Sequence, residues 1–415
     1  MFFSRLSKLA FVLLFGSAFF PTEFCFAQAG QWDAQLDSPG GPIRFGLHIK
    51  YEGTGNWIAW LRNGQERIDV PEIVDQRVDN TIQLNIDHYE SQLNVKLVPG
   101  TVSGTDSSEK RLVGTWKKRR GPKKWVEMDF SAVPRTESEL RARELKFDGR
   151  WRVKFSSSEE PAVGIFKSTE KGKLAGTFLT TTGDYRFLAG SDNEKEMELS
   201  CFDGAHAFLF KAKLQDDGSL TGDFWSSKHW HETWTAVRDE EAKLPDSFEL
   251  TKATKENING LAFPDLDGKE TKLDDKRFSA PVRIVHIFGS WCPNCHDAGV
   301  YLSELKQKYE DKISVVGVAF ELTGDFERDA AQVRKYLSRH KLDHSVLIGG
   351  KSSKTEASKV MTFIDEVRSY PTTIFADSTG EIIGVHQGFS GPATGESYVE
   401  LKKKFESVIE GILKR

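Results

Sequence analysis

Cys292 and Cys295 stand three residues apart in the run Trp291-Cys292-Pro293-Asn294-Cys295-His296. An apolar, strand-like stretch (283–289) precedes them. Helical spacing of Val300, Leu302, Leu305 and Tyr309 follows. A strand-to-helix junction puts the first thiol at an exposed helix N-terminus, where unpaired amides and the helix dipole favour a thiolate. Thiols in such motifs are acidified to about 3.5–7.5, so Cys292 is the expected nucleophile. Cys295, one turn inward, lies within disulfide reach and is placed to attack the mixed disulfide and release a reduced partner. The same residues also spell C-x-x-C-H, the pattern for covalent c-type haem attachment. Haem would need a second axial ligand and an enclosing, mostly helical pocket. Past the first thirty residues the only methionines are Met128, Met197 and Met361, and a buried strand before the motif suits a dithiol better.

The elements that must hold this pair alternate between strand and helix. Apolar runs at 313–320, 345–348, 372–375 and 382–385 read as further strands, and 326–337 and 398–413 as amphipathic helices. That order predicts an α/β domain over 257–415 with parallel pairing and a closing antiparallel hairpin. Seventy-nine residues after Cys292, Pro371 follows Tyr370 and introduces the strand Thr372-Thr373-Ile374-Phe375.

With these residues the sequence resembles the thioredoxin-like proteins, and within them the TlpA/ResA-type exported thiol–disulfide oxidoreductases. The matching stretches are FPDLDGKETKLDD (263–275), VHIFGSWCPNC (285–295), VVGVAFE (315–321), YPTTIFADSTGEII (370–383) and HQGFSGPATG (386–395). The resemblance covers about residues 256–415. It implies a thioredoxin-like fold, a protein-disulfide reductase or oxidoreductase activity and disulfide-containing or dithiol protein partners. No cofactor or metal is implied. Pro371 would be a cis-proline facing the disulfide and, with Tyr370, would dock an extended substrate backbone, while Trp291 shields the site. The usual direction in this group is reduction, often in support of cytochrome c maturation, with a membrane electron donor. Two positions depart from the pattern. His286 replaces a buried Asp six residues before the first Cys and becomes a candidate proton relay for Cys295. Ala298 replaces a Glu three residues after the second. Asp297 reads as an exposed helix-capping carboxylate.

Residues 30–237 have a different texture: nine of the ten tryptophans, frequent glycines and no long helical periodicity. The segment repeats itself. Trp32 matches Trp151, Pro42 Pro161, Gly64 Gly183 and Arg67 Arg186 at one offset, Ile86-Asp87 lines up with Phe202-Asp203, and Gly114-Thr115-Trp116 echoes Gly222-Asp223-Phe224. Short alternating runs (81–86, 208–214) between Gly-containing turns predict antiparallel strands with one buried face. The expectation is a duplicated all-β region, barrel or sandwich-like, with tryptophans filling its core. Cys201 reads as a buried apolar thiol, and His229 and His231 as one solvated face rather than a metal site. Core packing without an interior ligand is the first expectation and a ligand-binding barrel the second, while binding of a partner or ligand of unknown identity, with delivery of substrates to the redox domain, is the function expected of this region.

Length 415, 38% hydrophobic and 28% charged residues fit a soluble chain of two or three domains, and a net charge of −4 leaves no basic footprint for nucleic acid. Arg5 and Lys8, the apolar run 9–20 and the small-x-small Ala27-Gln28-Ala29 read as a signal peptide over 1–29. The expected organisation is that leader, β repeats at 30–148 and 149–237, a charged linker at 238–256 and the thioredoxin-like domain at 257–415. The expected location is the periplasm or cell envelope, with an uncleaved anchor as the alternative to secretion. The whole reads as a multidomain, exported thiol–disulfide oxidoreductase, against a c-type haem protein or a non-catalytic envelope binding protein.

Overall fold

The computed structural model describes residues 28–53, 56–76, 81–99, 110–136, 146–169 and 173–415. Cys25 and the expected leader up to position 27 lie outside them.

Alternating apolar residues build two nine-stranded antiparallel sheets. The first holds β1 (Gly30–Ser38), β2 (Gly41–Tyr51), β3 (Trp57–Asn63), β4 (Glu66–Asp69), β5 (Glu72–Gln76), β6 (Thr81–Ile86), β7 (Ser91–Pro99), β8 (Lys110–Arg119) and β9 (Trp125–Pro134). The second holds β10 (Gly149–Phe155), β11 (Ala162–Ser168), β12 (Leu174–Thr180), β13 (Gly183–Asp184), β14 (Leu188–Asp192), β15 (Glu196–Phe202), β16 (Ala207–Leu214), β17 (Leu220–Ser226) and β18 (Trp230–Arg238). Both copies run up and down in the same order, and in both the first strand pairs with the last. They differ in closure. β12 pairs with both β11 and β14, closing an eight-stranded barrel with β13 as a short return along β12. In the first copy β4 and β5 are the two ends of the strand order, so among the described residues that barrel is open along one seam.

The repeat extends to single hydrogen bonds. Trp32 Nε1 donates to the Gln28 carbonyl at 3.0 Å, and Trp151 Nε1 to the Phe147 carbonyl at 2.9 Å, each four residues back. Trp32, Trp116, Trp151 and Trp234 are buried, as expected of core residues. Trp125 and Trp230 are not: they start β9 and β18, are about half exposed, and carry polar company in Arg119 and Glu232. The second interior is filled by rings, Phe178 on Phe210 at 4.4 Å and Phe210 on Phe224 at 4.3 Å. Side chains therefore fill the interior of the second barrel, as expected where aromatic residues only pack a core. Cys201 is fully buried there, and burial pushes its thiol pKa well up.

The linker carries α1 (Ser247–Leu250) and is followed by a small hairpin, β19 (Ala262–Pro264) with β20 (Glu270–Lys272). The last sheet runs β23 (Ser345–Lys351), β22 (Ile313–Glu321), β21 (Val282–Phe288), β24 (Thr372–Asp377), β25 (Ile382–Gln387), parallel for the first three and antiparallel beyond. Four helices flank it: α2 (Pro293–Tyr309), α3 (Phe326–His340), α4 (Lys354–Val360) and α5 (Glu396–Leu413). Leu302 of α2 and Phe405 of α5 pack with Ile284 on one face, while Val333 of α3 packs with Val285 and Ile287 on the other. Burial on both faces is why the central strand reads as an unbroken apolar run.

Candidate active site at the CxxC motif

β21 delivers the chain to Gly289, where a Cβ would stand 2.2 Å from the Trp291 indole nitrogen, so the turn requires glycine. Trp291 Nε1 donates to the Phe320 carbonyl at 2.9 Å, and the Ser290 amide and hydroxyl each donate to the Glu321 carboxylate at 2.7 Å. Cys292 is the N-cap of α2 and Pro293 takes its first position, where a missing amide hydrogen costs no helical bond. The Cys295 amide closes onto the Cys292 carbonyl at 3.0 Å. Cys295 is fully buried and Cys292 is 7% exposed.

Across from them the Tyr370–Pro371 bond is cis. The Cys292 thiol donates to the Tyr370 carbonyl at 3.5 Å, and the Tyr370 ring stands edge-on to Trp291 at 5.6 Å. The Ser369 hydroxyl and the Gly388 amide both donate to the Pro371 carbonyl, fixing this loop to the turn after β25. The structure thus brings Trp291, Cys292, Cys295, Tyr370 and Pro371 together.

His286 lies directly behind, in β21. It is fully buried and stacked on Phe288, with the Cys295 backbone against its ring as an opposing, pKa-raising contact. Burial, with some repulsion from His344, lowers its pKa to about 3. A second buried ionisable group, Glu321, stands on the neighbouring strand. It is 1% exposed at the end of β22, and burial pushes its carboxyl up to about 7 against the opposing Ser290 hydrogen bonds. Burial and the neighbouring Cys292 sulfur push the Cys295 thiol well up, with a smaller contribution from Glu321. Sequence reading missed Glu321. The matched run ended on it, but nothing in sequence shows that parallel pairing of β21 with β22 sets it beside the turn before Cys292.

The β region also reaches the site. Asn294, between the cysteines, donates its side-chain amide to the Asp184 carbonyl at 3.2 Å, and the Gly391 amide donates to the Asp184 carboxylate at 2.6 Å. Asp297 is not an exposed cap: it pairs with Arg186, whose guanidinium also meets Glu66 at 3.0 Å and Asp203 at 3.6 Å. Burial pushes Asp297 up to about 6 and Glu66 to about 7, with Arg186 pulling both down. Lys118 is buried, donates to the Ala205 carbonyl and is lowered to about 7 by desolvation. His296 uses both ring nitrogens, Nε2 donating to the Ser290 carbonyl and Nδ1 bonding His340 Nε2, each at 2.7 Å. No group of His, Cys, Asp or Glu among the described residues is arranged to hold a metal ion.

A strand-to-helix CxxC facing a cis-proline on a five-stranded mixed sheet defines a domain of thioredoxin fold. Residues 239–400 match the Redoxin family. The chain is 28% identical over 123 residues to the thioredoxin-like protein YneN of Bacillus subtilis (strain 168), spanning 30% of this chain and 65% of that one. It is 23% identical over 157 residues to the thiol-disulfide oxidoreductase ResA of Halalkalibacterium halodurans, spanning 37% of this chain and 79% of that one. Among solved structures it is similar to a thiol-disulfide oxidoreductase from Bacteroides fragilis (19% identity, TM-score 0.27, 35% and 98% coverage). A thioredoxin family thiol:disulfide interchange protein from Chlorobium tepidum is comparable (18%, 0.27, 36% and 98%).

Proposed function

We propose that this protein is an exported thiol–disulfide oxidoreductase that reduces disulfides in partner proteins. The observation that carries the reading is the Cys292 thiol at the start of α2, 3.5 Å from the carbonyl of the residue preceding the cis-proline. Cys292 as thiolate attacks a partner disulfide, forming a mixed disulfide and releasing one partner thiolate. Cys295 passes its proton to Glu321 and attacks the Cys292 sulfur, freeing the second partner thiol. The partner gains two electrons and the Cys292–Cys295 pair becomes a disulfide. Resetting it takes a dithiol donor, at the membrane if the chain is exported. Export rests on Arg5 and Lys8 ahead of the apolar run 9–20.

The test is reduction of insulin disulfides by the purified protein. Cys292→Ser should abolish turnover while the fold is kept, and Cys295→Ser should accumulate mixed disulfides with substrate. Full activity in folded Cys292→Ser would end the reading. The haem alternative loses ground because both nitrogens of His296 are already engaged, and no Soret band is expected.

A further inference from the structure

Arg67 and Arg186 occupy equivalent places in the two repeats, yet their surroundings differ completely. Arg67 is exposed, pairs with Asp69 at 2.8 Å and lies over the Trp60 ring. Arg186 is 7% exposed, has a backbone φ of 63° and bridges both β repeats to α2. A left-handed non-glycine backbone is costly and persists only where its surroundings over-determine it. Here the Arg186 amide donates to the Asp184 carboxylate at 2.7 Å, which locks the turn. One residue earlier in the same turn, a Cβ on Gly183 would meet the Asn294 amide nitrogen at 2.2 Å, so the loop is shaped to lie against the CxxC motif itself. Residues 183–186 therefore grip the active-site helix at Asn294, between the thiols, and at Asp297, two residues beyond the second.

We propose that this segment of the second barrel tunes the Cys292–Cys295 couple, with Arg186 as a positioning residue that neutralises Asp297 and so favours the reduced, thiolate form. The inference rests on the exchange reading above. A carboxylate in the first turns of α2 opposes the helix dipole that stabilises a thiolate at Cys292. Arg186 is the cation in direct contact with it. Glu66, Asp184 and Asp203 face the same guanidinium, and Asp203 has His206 as a second partner at 3.1 Å. Arg186 also holds the Asp297 pKa down against burial, so only in solution alkaline enough to keep Asp297 ionised does removing the guanidinium leave its carboxylate to act on the thiolate. A thiolate made less stable weakens the reduced form and makes the potential more negative.

The experiment equilibrates the full chain and three variants against dithiothreitol or glutathione buffers, alkaline enough to keep Asp297 ionised, and reads the reduction potential. Arg186→Gln should shift the thiol–disulfide equilibrium about tenfold towards the disulfide, about 30 mV more negative. Asp297→Asn should move it the other way, and the double variant should return to the wild-type value. A purely structural contact would alter melting without this rescue. A folded Arg186→Gln with the wild-type potential, or a double variant no closer to wild type than the single, overturns the proposal. If Arg186→Gln does not fold, Asp297→Asn decides alone, and an unchanged potential overturns it. A wild-type chain with no titratable couple would instead sink the exchange reading itself.

Discussion

Glu321 shows how one side chain can set the pH dependence of a reaction. Its carboxyl is pushed up to about 7 from an ordinary value of 4.5, because burial beside Ser290 disfavours the charge. Between those values the folded state binds a proton that the unfolded state has released, so stability falls as pH rises from about 4.5 to 7 and stays lower above. Glu321→Gln keeps an acceptor for Ser290 and removes that loss, so its stability relative to the wild type should improve across this window in denaturant titrations. The same change should slow resolution of the mixed disulfide, by about a hundredfold where general-base assistance is lost, and flatten its rate against pH near 7. Single-turnover kinetics give that profile, and an unchanged one would remove Glu321 from proton transfer. His286, lowered to about 3 by burial, stays neutral throughout this range.

At the scale of elements, the paired tryptophans bear on where a chain exported by the proposed leader would be cut. Gln28 is buried, and its carbonyl accepts from Trp32 just as Phe147 accepts from Trp151 in the other copy. Cleavage after Ala29 would remove that acceptor and leave a buried indole N–H unpaired, at about 1–3 kcal/mol. Cleavage after Ala27 keeps it, with small residues at Cys25 and Ala27. N-terminal sequencing of exported protein should therefore begin at Gln28, and a start at Gly30 would refute this. The duplication itself was legible, because Trp32/Trp151 and Gly114/Gly222 are local requirements of strand geometry. The same holds for the five strands around the motif, whose apolar runs are continuous. Barrel closure was not legible: it depends on whether β12 reaches β14, a pairing that the otherwise similar first copy lacks. Nor was the bridge from Arg186 to Asp297, since 111 residues separate two charges that each look like ordinary surface side chains.

At the scale of the whole molecule, two sets of ionisable groups oppose each other where the β region meets the redox domain. His88 from the first barrel stands 5.5 Å from the His296 ring and 6.2 Å from His340, and burial lowers all three, His340 to about 4. Asp87 faces His88 and pulls its pKa up, while Arg339 adds to the lowering. Against these stand Glu66 at about 7, Asp297 at about 6, and Asp184, also raised by burial, all facing Arg186. A depressed histidine favours the docked form above its ordinary value of 6.5 and loses that contribution as pH falls. A raised carboxyl does the reverse and loses its contribution as pH rises. Separating the domains in mildly acid solution takes up protons on the lowered histidines and releases them from the raised carboxyls, so the two sets offset each other and docking should change little with pH. Replacing Glu66 and Asp297 with Gln and Asn removes two of the three opposing groups. Each proton left unbalanced is worth about 1.4 kcal/mol per pH unit, so the double variant should open on acidification. Small-angle scattering at pH 7 and pH 5 should give one radius of gyration for the wild type and a larger one at pH 5 for the double variant. Expansion of the wild type alone at pH 5 would mean that the histidines outweigh the carboxyls and that the two sets are not matched.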